Sequence, residues 1–367
     1  MRILLVEYWH SHIYGEPFFA RLRELGEEVF AFKEHEYLAR SERPGVLGRI
    51  ESASVRAQNK FRWGPRLTRM NRALVSRAKD LRPDIMFLFR GTHVLPETIS
   101  RIKELGIYVA GWNNDDPFGV KYPYYVWRHF RRSIPLYDRL YAYRYANVED
   151  FRRTGCERVG LLRSFYLREL NCPVDSSGSP YQCDVSFIGH WEADGRSAYV
   201  ASLLRMPRIA FRLWGTLWER SPDWSDIRVR FGTIQPLYKE KYNLAINSSS
   251  ISLVFLSGLN NDTYTRRCFE IPAAGTFMLS QHSEDMESLF REGIEAAYFR
   301  SPEEMKDKIR FYLGHRSERE RISARGRQRL LRDGHEALDR ARQVVGHLRQ
   351  DLAELRDHAS SASSAHA

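Results

Sequence analysis

The chain has 367 residues, of which 43% are hydrophobic and 13% aromatic, and a net charge of +11. That apolar content is enough for about two packed domains and excludes a disordered or fibrous chain. Four cysteines without a CxxC spacing argue against a disulfide framework or a cysteine zinc site, and no apolar run approaches the roughly 20 residues of a membrane span.

The N-terminus enters Ile3-Leu4-Leu5-Val6 and reaches Glu7, too short an apolar run for a signal-peptide core and well suited to a first strand. Short apolar runs predict strands over 2–7, 28–32, 84–89, 107–111, 139–143 and 158–162. Helices are predicted between them over 17–25, as a basic pair across 46–80, and over 96–105 and 122–132. Residues 171–182 (NCPVDSSGSPYQ) lack periodicity and read as a linker. The alternation restarts with strands over 183–188, 209–214, 228–231, 251–256, 276–279 and 296–299. From Pro302 the chain is helical and charged, with breaks expected at Gly314, Gly326 and Gly334. A last helix over 335–356 is placed to pack back on the first domain, and 359–367 reads as a disordered tail. Strands separated by helices imply parallel sheets covered on both faces, in two doubly wound halves. The domains expected are 1–170, a linker at 171–182, 183–345, and a helix end and tail at 346–367.

The charge is concentrated in the first half. Residues 40–82 carry 12 basic and 3 acidic residues, spaced as on a helical face. Residues 121–145 mix Arg128, Arg131 and Arg132 with nine aromatics. Both segments can face anionic lipid, and both can equally be a solvated helix pair and ordinary core. Nucleic acid is disfavoured, because 40–82 interleaves only Phe61 and Trp63 with its charge. The expected location is the cytoplasm, with access to the inner membrane surface.

Ligands of doubly wound sheets bind at the carboxyl ends of the strands, so the strand exits carry the candidates. In the first half these are His10, His12, His93 and Asn113. Asp115 and Asp116, in WNNDDPFG, can act as general base or orient a hydroxyl, or simply form an Asx turn before Pro117. GxGxxG, GxxxxGK[ST], HExxH, GxSxG and DxD are all absent, which argues against dinucleotide, P-loop, zinc-protease and nucleophile-elbow chemistry; no metal site or cofactor is expected.

The second half holds the most specific stretch, NNDTYTRRCFEIPAAGTFMLS, residues 260–280. Thr263 or Thr265 can cap a helix whose start, with Arg266 and Arg267, suits a diphosphate. Glu270, one turn further, can accept from a ribose diol. The competing reading is a plain helix start with surface arginines.

This stretch, with its continuation SQHSEDMESLFREGIEAAYFRSPEEMKDKIRFYLGH and RERISARGRQRLLRDGH, resembles the C-terminal half of GT-B glycosyltransferases. It is most similar to the branch of CgeB-like proteins, over roughly 183–345. The resemblance implies an α/β fold of two Rossmann-like domains facing across a cleft, with a C-terminal helical extension. It implies a nucleotide-diphosphate sugar as co-substrate, UDP or GDP foremost, held by the second domain, with a glycan, lipid-linked or protein acceptor held by the first. The family's E-x7-E motif falls on Asp262, toward the donor sugar, and Glu270, toward the ribose. Its basic pair falls in FIGHWEADGR, where Arg196 fills one place and His190, after Gly189, stands where an arginine is usual. Thr265, Arg266 and Arg267 complete the donor set, with Arg266 and Asp262 also placed among the catalytic residues. His10, His12, His93, Asn113 and Asp115 fall on the acceptor side. The expected activity is metal-independent, retaining glycosyl transfer. The alternatives are a non-catalytic binding or coat protein working through the basic N-terminal half, and nucleic-acid binding through 40–82.

Overall fold

The computed structural model describes residues 1–9, 13–39 and 43–364. They form two compact units: unit 1 is Met1–Arg163 together with the chain from Ala337 onward, and unit 2 is Ser164–Glu336.

Unit 1 holds β1 (Arg2–Glu7), β2 (Glu28–Lys33), β3 (Ile85–Phe89), β4 (Tyr108–Asn113), β5 (Arg139–Ala142) and β6 (Arg158–Leu161), all parallel, in the order β2-β1-β3-β4-β5-β6. Helices α1 (Gly15–Glu24), α2 (His35–Leu38), α3 (Gly45–Phe61), α4 (Pro65–Leu81), α5 (Pro96–Lys103), α6 (Tyr124–Ser133) and α7 (Tyr145–Arg153) connect them. The central strands β3 and β4 are buried along their whole length, which is why IMFLF is continuously apolar rather than alternating. The strand order reverses between β1 and β3, and side chains at their carboxyl ends therefore diverge around a crevice.

Unit 2 holds β7 (Cys183–Ile188), β8 (Phe211–Trp214), β9 (Ser249–Val254), β10 (Phe277–Gln281) and β11 (Ala297–Phe299), parallel in the order β11-β10-β9-β7-β8. Its helices are α8 (Arg196–Leu204), α9 (Trp224–Phe231), α10 (Lys239–Asn247), α11 (Arg267–Ala273), α12 (Glu284–Leu289), α13 (Pro302–Gly314) and α14 (Arg316–Arg332). Here the order reverses between β7 and β9.

Helix α15 (Ala337–Ser364) returns to unit 1, where it lies on α1 and runs into the Ser/Ala segment expected to be disordered. Its buried Asp351 accepts from Tyr108 Oη at 2.6 Å and from Arg139 Nε and Nη2 at 2.5 and 2.8 Å. Burial raises the Asp351 pKa, but the bonds from Arg139 and Tyr108 outweigh it and leave the group below its ordinary value. Replacing Asp351 with alanine leaves Arg139 largely buried without its carboxylate. Unit 1 should lose about 3–5 kcal/mol in urea unfolding, the usual cost of breaking a buried pair from one side.

Three expectations change, and of the readings open for 121–145 the core one holds. Residues 228–231 are not a strand but the end of α9, because Trp224, Ile227 and Phe231 share one helical face and pack on the core, while Val229 is 90% exposed. Gly326 does not break α14; its Cα lies so close to Glu295 that a Cβ would stand 2.3 Å from that carbonyl oxygen. Residues 171–182 are folded into unit 2, where Asn243 and Asn247 donate to the Cys172 carbonyl and Val174 N–H donates to Asn247 Oδ1. In 121–145, Trp127, Phe130, Tyr137, Tyr141 and Tyr143 are buried, so that segment is chiefly core. The basic pair α3–α4 differs. Helix α3 buries only Gly48 and Val55 and leaves Val46, Leu47 and Ile50 61–77% exposed. No described helix is long and apolar enough to cross a membrane.

Candidate functional site

At the reversal point of unit 1 lies a cavity of about 440 Å³. Its walls come from the ends of four neighbouring strands: Glu7 and Tyr8 after β1, Glu34 after β2, Phe89 and Arg90 at β3, and Asn114 and Asp115 after β4. Asn59 and Arg62 enter from the end of α3, and Tyr14, Thr92 and His93 complete the lining. Two backbone features shape it. Gly15 starts α1 against the Glu7 carboxylate, where a Cβ would stand 1.4 Å from Oε2. Arg62 and Arg90 both adopt left-handed φ, 50° and 65°, which turns each side chain at the end of its element.

The polar side chains form two linked sets. Glu34, nearly fully buried, accepts from His93 Nδ1 at 2.9 Å, while Arg62 Nη1 lies 2.5 Å from His93 Nε2. An arginine can only donate, so His93 is held as the neutral Nδ1–H tautomer. Burial lowers the His93 pKa, against the raising influence of Glu34. Arg62 also donates to the Asn59 carbonyl; burial, then the charge of Arg90, brings its pKa down to about 10. In the second set Arg90 Nη2 lies 2.5 Å from Asp115 Oδ2, with its guanidinium 5.2 Å from the Trp127 ring centre. Glu7 stands between the sets. Burial pushes its pKa up to about 7; the Gly15 N–H opposes that shift and the charge of Glu34 adds to it.

Unit 2 presents its own cluster at the ends of β7 and β9. Arg267 donates from Nε to the Ile188 carbonyl at 2.5 Å and lies over Phe187. A Cβ on Gly189 would stand 2.9 Å from Arg267 Nη2 and 2.7 Å from Phe187, so only glycine lets that guanidinium close on the strand end. His190 Nε2 lies 2.7 Å from Glu192 Oε1, and Ser257 donates to Glu192 Oε2 at 2.5 Å, tying the two loops together. Burial raises the Glu192 pKa, but the bonds from His190 and Ser257 and the charge of Arg196 hold it down at about 2. Arg266 donates to Glu270 Oε1 at 2.6 Å, and Tyr242 donates to Glu270 Oε2 at 2.7 Å.

The sequence-derived residues therefore divide. Asp115 and His93 line the unit 1 cavity, and Asn113 lies buried behind it, accepting the Asp115 N–H at 3.0 Å. Asp116 takes the Asx-turn alternative: it is buried, and its Oδ1 accepts from Phe118 N–H and Asn147, so it is not placed as a base. His10 and His12 lie outside the described residues. Gly189, His190 and Arg267 meet at the end of β7. Arg196 is buried in a fork with Asp194 and donates to the His190 carbonyl at 2.7 Å. Arg266 likewise serves Glu270. Neither threonine caps α11: Thr263 donates to Asp285, and Thr265 Oγ1 lies 3.8 Å from Cys268 Sγ. Asp262 is half-buried in the loop, its N–H donating to the Ser257 carbonyl at 2.9 Å. Glu7, Glu34, Asn59, Arg62 and Arg90 were not singled out from sequence. Glu7 and Arg90 carry a signal, as the last residue of the first strand and the first residue after IMFLF. Arg62 has none, because it reaches the cavity from a helix end. Among the described residues no group of three or more His, Cys, Asp or Glu side chains is placed to hold a metal ion.

Residues 196–346 match the family model described as glycosyl transferase-like. No curated protein matches the chain in sequence. Among solved structures the chain is similar to sucrose-phosphate synthase from Thermosynechococcus elongatus, with a TM-score of 0.69 and 11% identity over 96% of this chain and 100% of that one. It is also similar to Anabaena Alr3699/HepE, solved in complex with UDP and glucose, with a TM-score of 0.66 and 10% identity over 95% and 100%. A third, α,α-trehalose 6-phosphate synthase from Burkholderia multivorans, gives a TM-score of 0.66 and 12% identity over 97% and 99%. The shared feature is the fold, that of GT-B glycosyltransferases, as the sequence resemblance implies.

Proposed function

We propose that the chain is a glycosyltransferase that moves a sugar from a nucleoside-diphosphate donor bound by unit 2 to a hydroxyl of an acceptor bound by unit 1. The observation that carries this reading is Arg267, locked by the Ile188 carbonyl against Gly189 at the point where the unit 2 strand order reverses. The glycosyl transferase-like match over 196–346 and the UDP-bound HepE neighbour support it.

In the reaction the bond from the anomeric carbon to the diphosphate oxygen breaks, and a new bond forms to the acceptor oxygen, whose proton is released. Negative charge builds on the leaving diphosphate, so a fixed guanidinium there stabilises the transition state more than the ground state. That charge takes the place a divalent ion would otherwise fill. Glu270, held by Arg266 and Tyr242, is oriented rather than free, and still has lone pairs for a ribose diol. UDP is the first donor class on this reading and GDP the second. Retention of configuration and kinship with CgeB-like proteins rest on the order of motifs in 183–345.

The direct assay is release of nucleoside diphosphate from a panel of UDP- and GDP-sugars with glycan acceptors, in EDTA. Turnover with one donor is expected. If no donor turns over but the protein still binds glycans, the non-catalytic reading replaces this one.

Contact with anionic lipid through α3 is part of the same reading. Leu47 and Ile50 stand out beside Arg49, Arg56 and Lys60, the arrangement of a helix lying in a membrane interface. Flotation with vesicles rich in anionic lipid should carry the protein upward. The effect should weaken in high salt and disappear in Leu47→Asp/Ile50→Asp; flotation unchanged in that variant would remove the contact.

A further inference from the structure

We infer that the unit 1 cavity takes a neutral, polyhydroxylated sugar and not a phosphorylated or otherwise anionic one. This deepens the proposed function and rests on unit 1 being the acceptor domain.

The hydrogen-bond inventory of the lining carries the inference. Three acceptor atoms, Glu7 Oε2, Glu34 Oε1 and Asn59 Oδ1, are buried without a hydrogen-bond partner among the described residues. Two donor groups, Arg62 Nε and Arg90 Nε, are in the same state. Each such atom carries its desolvation cost uncompensated while it stays unmet, which is why native structures hold few of them away from binding sites. A ligand that answers this set must both donate and accept. Hydroxyl groups do both, whereas a phosphate dianion can only accept.

The charges point the same way. Three carboxyl groups (Glu7, Glu34, Asp115) face two guanidinium groups in the cavity, and neither guanidinium is uncommitted. Arg90 is paired with Asp115, and Arg62 with His93 and the Asn59 carbonyl. With Glu7 protonated below about pH 7, the charges of Glu34 and Asp115 balance the two guanidinium groups, and a phosphate entering here would find no spare positive charge and would have to pull an arginine from its partner. Tyr8, Tyr14 and Phe89 supply ring surface of the kind that pyranose C–H faces stack on.

Saturation-transfer NMR on the full chain, without nucleotide, tests this with methyl α-glucoside, maltose and glucose 6-phosphate as probes. The neutral glycosides should bind and glucose 6-phosphate should not compete with them. Glu34→Gln should weaken glycoside binding about 10- to 100-fold, the scale of a hydrogen bond to a charged group, and Glu7→Gln, which replaces a largely neutral carboxyl, about 2- to 10-fold. If one variant fails to fold, the other carries the test. Tighter binding of glucose 6-phosphate, no binding of any probe, or glycoside binding unchanged in both variants would overturn the inference. Nucleotide binding followed on the same sample reports on unit 2 separately, so its loss would count against glycosyl transfer and leave the assignment of this cavity standing.

Discussion

Arg267→Ala is expected to lower turnover by about 10²- to 10³-fold, the cost of removing one preorganised donor from a developing oxyanion. The fold should tolerate it, because what is lost inside the protein is one bond to the Ile188 carbonyl and the contact with the Phe187 ring. Arg267→Lys should recover only part of the rate, since a single ammonium cannot hold that carbonyl and present a second N–H at once. Arg266→Ala should behave differently. Its guanidinium is buried and spent on Glu270, so its removal leaves a buried carboxylate with Tyr242 alone and should appear mainly as lost stability. Steady-state kinetics and urea unfolding of the three variants separate these outcomes. Equal loss of turnover in Arg266→Ala and Arg267→Ala, at unchanged stability, would return the two arginines to equivalent roles.

Glu7→Gln should make the protein more stable, and increasingly so as pH rises. Burial raises the Glu7 pKa from 4.5 to about 7, so between those values the native state holds a proton that the unfolded chain has released. The group favours folding below pH 4.5 relative to higher pH, and that contribution is lost as pH climbs through 7. Glutamine keeps the neutral shape without this penalty. Its advantage should be about 1 kcal/mol at pH 5 and about 3 kcal/mol at pH 8, read from urea unfolding at the two pH values. An advantage that does not change with pH would mean that Glu7 is ionised in the folded protein throughout this range. A carboxyl that costs stability where it stands is the usual signature of a residue kept for binding or catalysis.

The sheets were legible because their strands are apolar, β-branched runs separated by helices; β1 and β7 have the boundaries that periodicity predicts. Residues 228–231 misled because IRVRF alternates like a strand, and only the partners at 224 and 231 reveal the helix. Gly326 misled because a glycine that admits a neighbouring carbonyl looks in sequence like one that ends a helix. The site was legible in part, through strand exits: His93, Asp115, Gly189 and His190 lie where the alternation places them. Arg196 and Asp116 had the right residue type at the right loop, but near neighbours in three dimensions, Asp194 and Asn147, take up their charge or lone pairs. Arg62 could not be read at all, because the left-handed end of α3 delivers it from 31 residues before His93.

The most direct test of the central claim is a thermal-unfolding panel of the full chain with UDP, GDP, dTDP and CMP, run in parallel on Arg267→Ala. A nucleotide at 100 times its dissociation constant adds about 2.7 kcal/mol, worth about 5–10 °C in a unit of this size. The account predicts that one diphosphate raises the unfolding temperature and that the rise is lost in the variant. A flat panel, or a shift that survives the loss of Arg267, would contradict it.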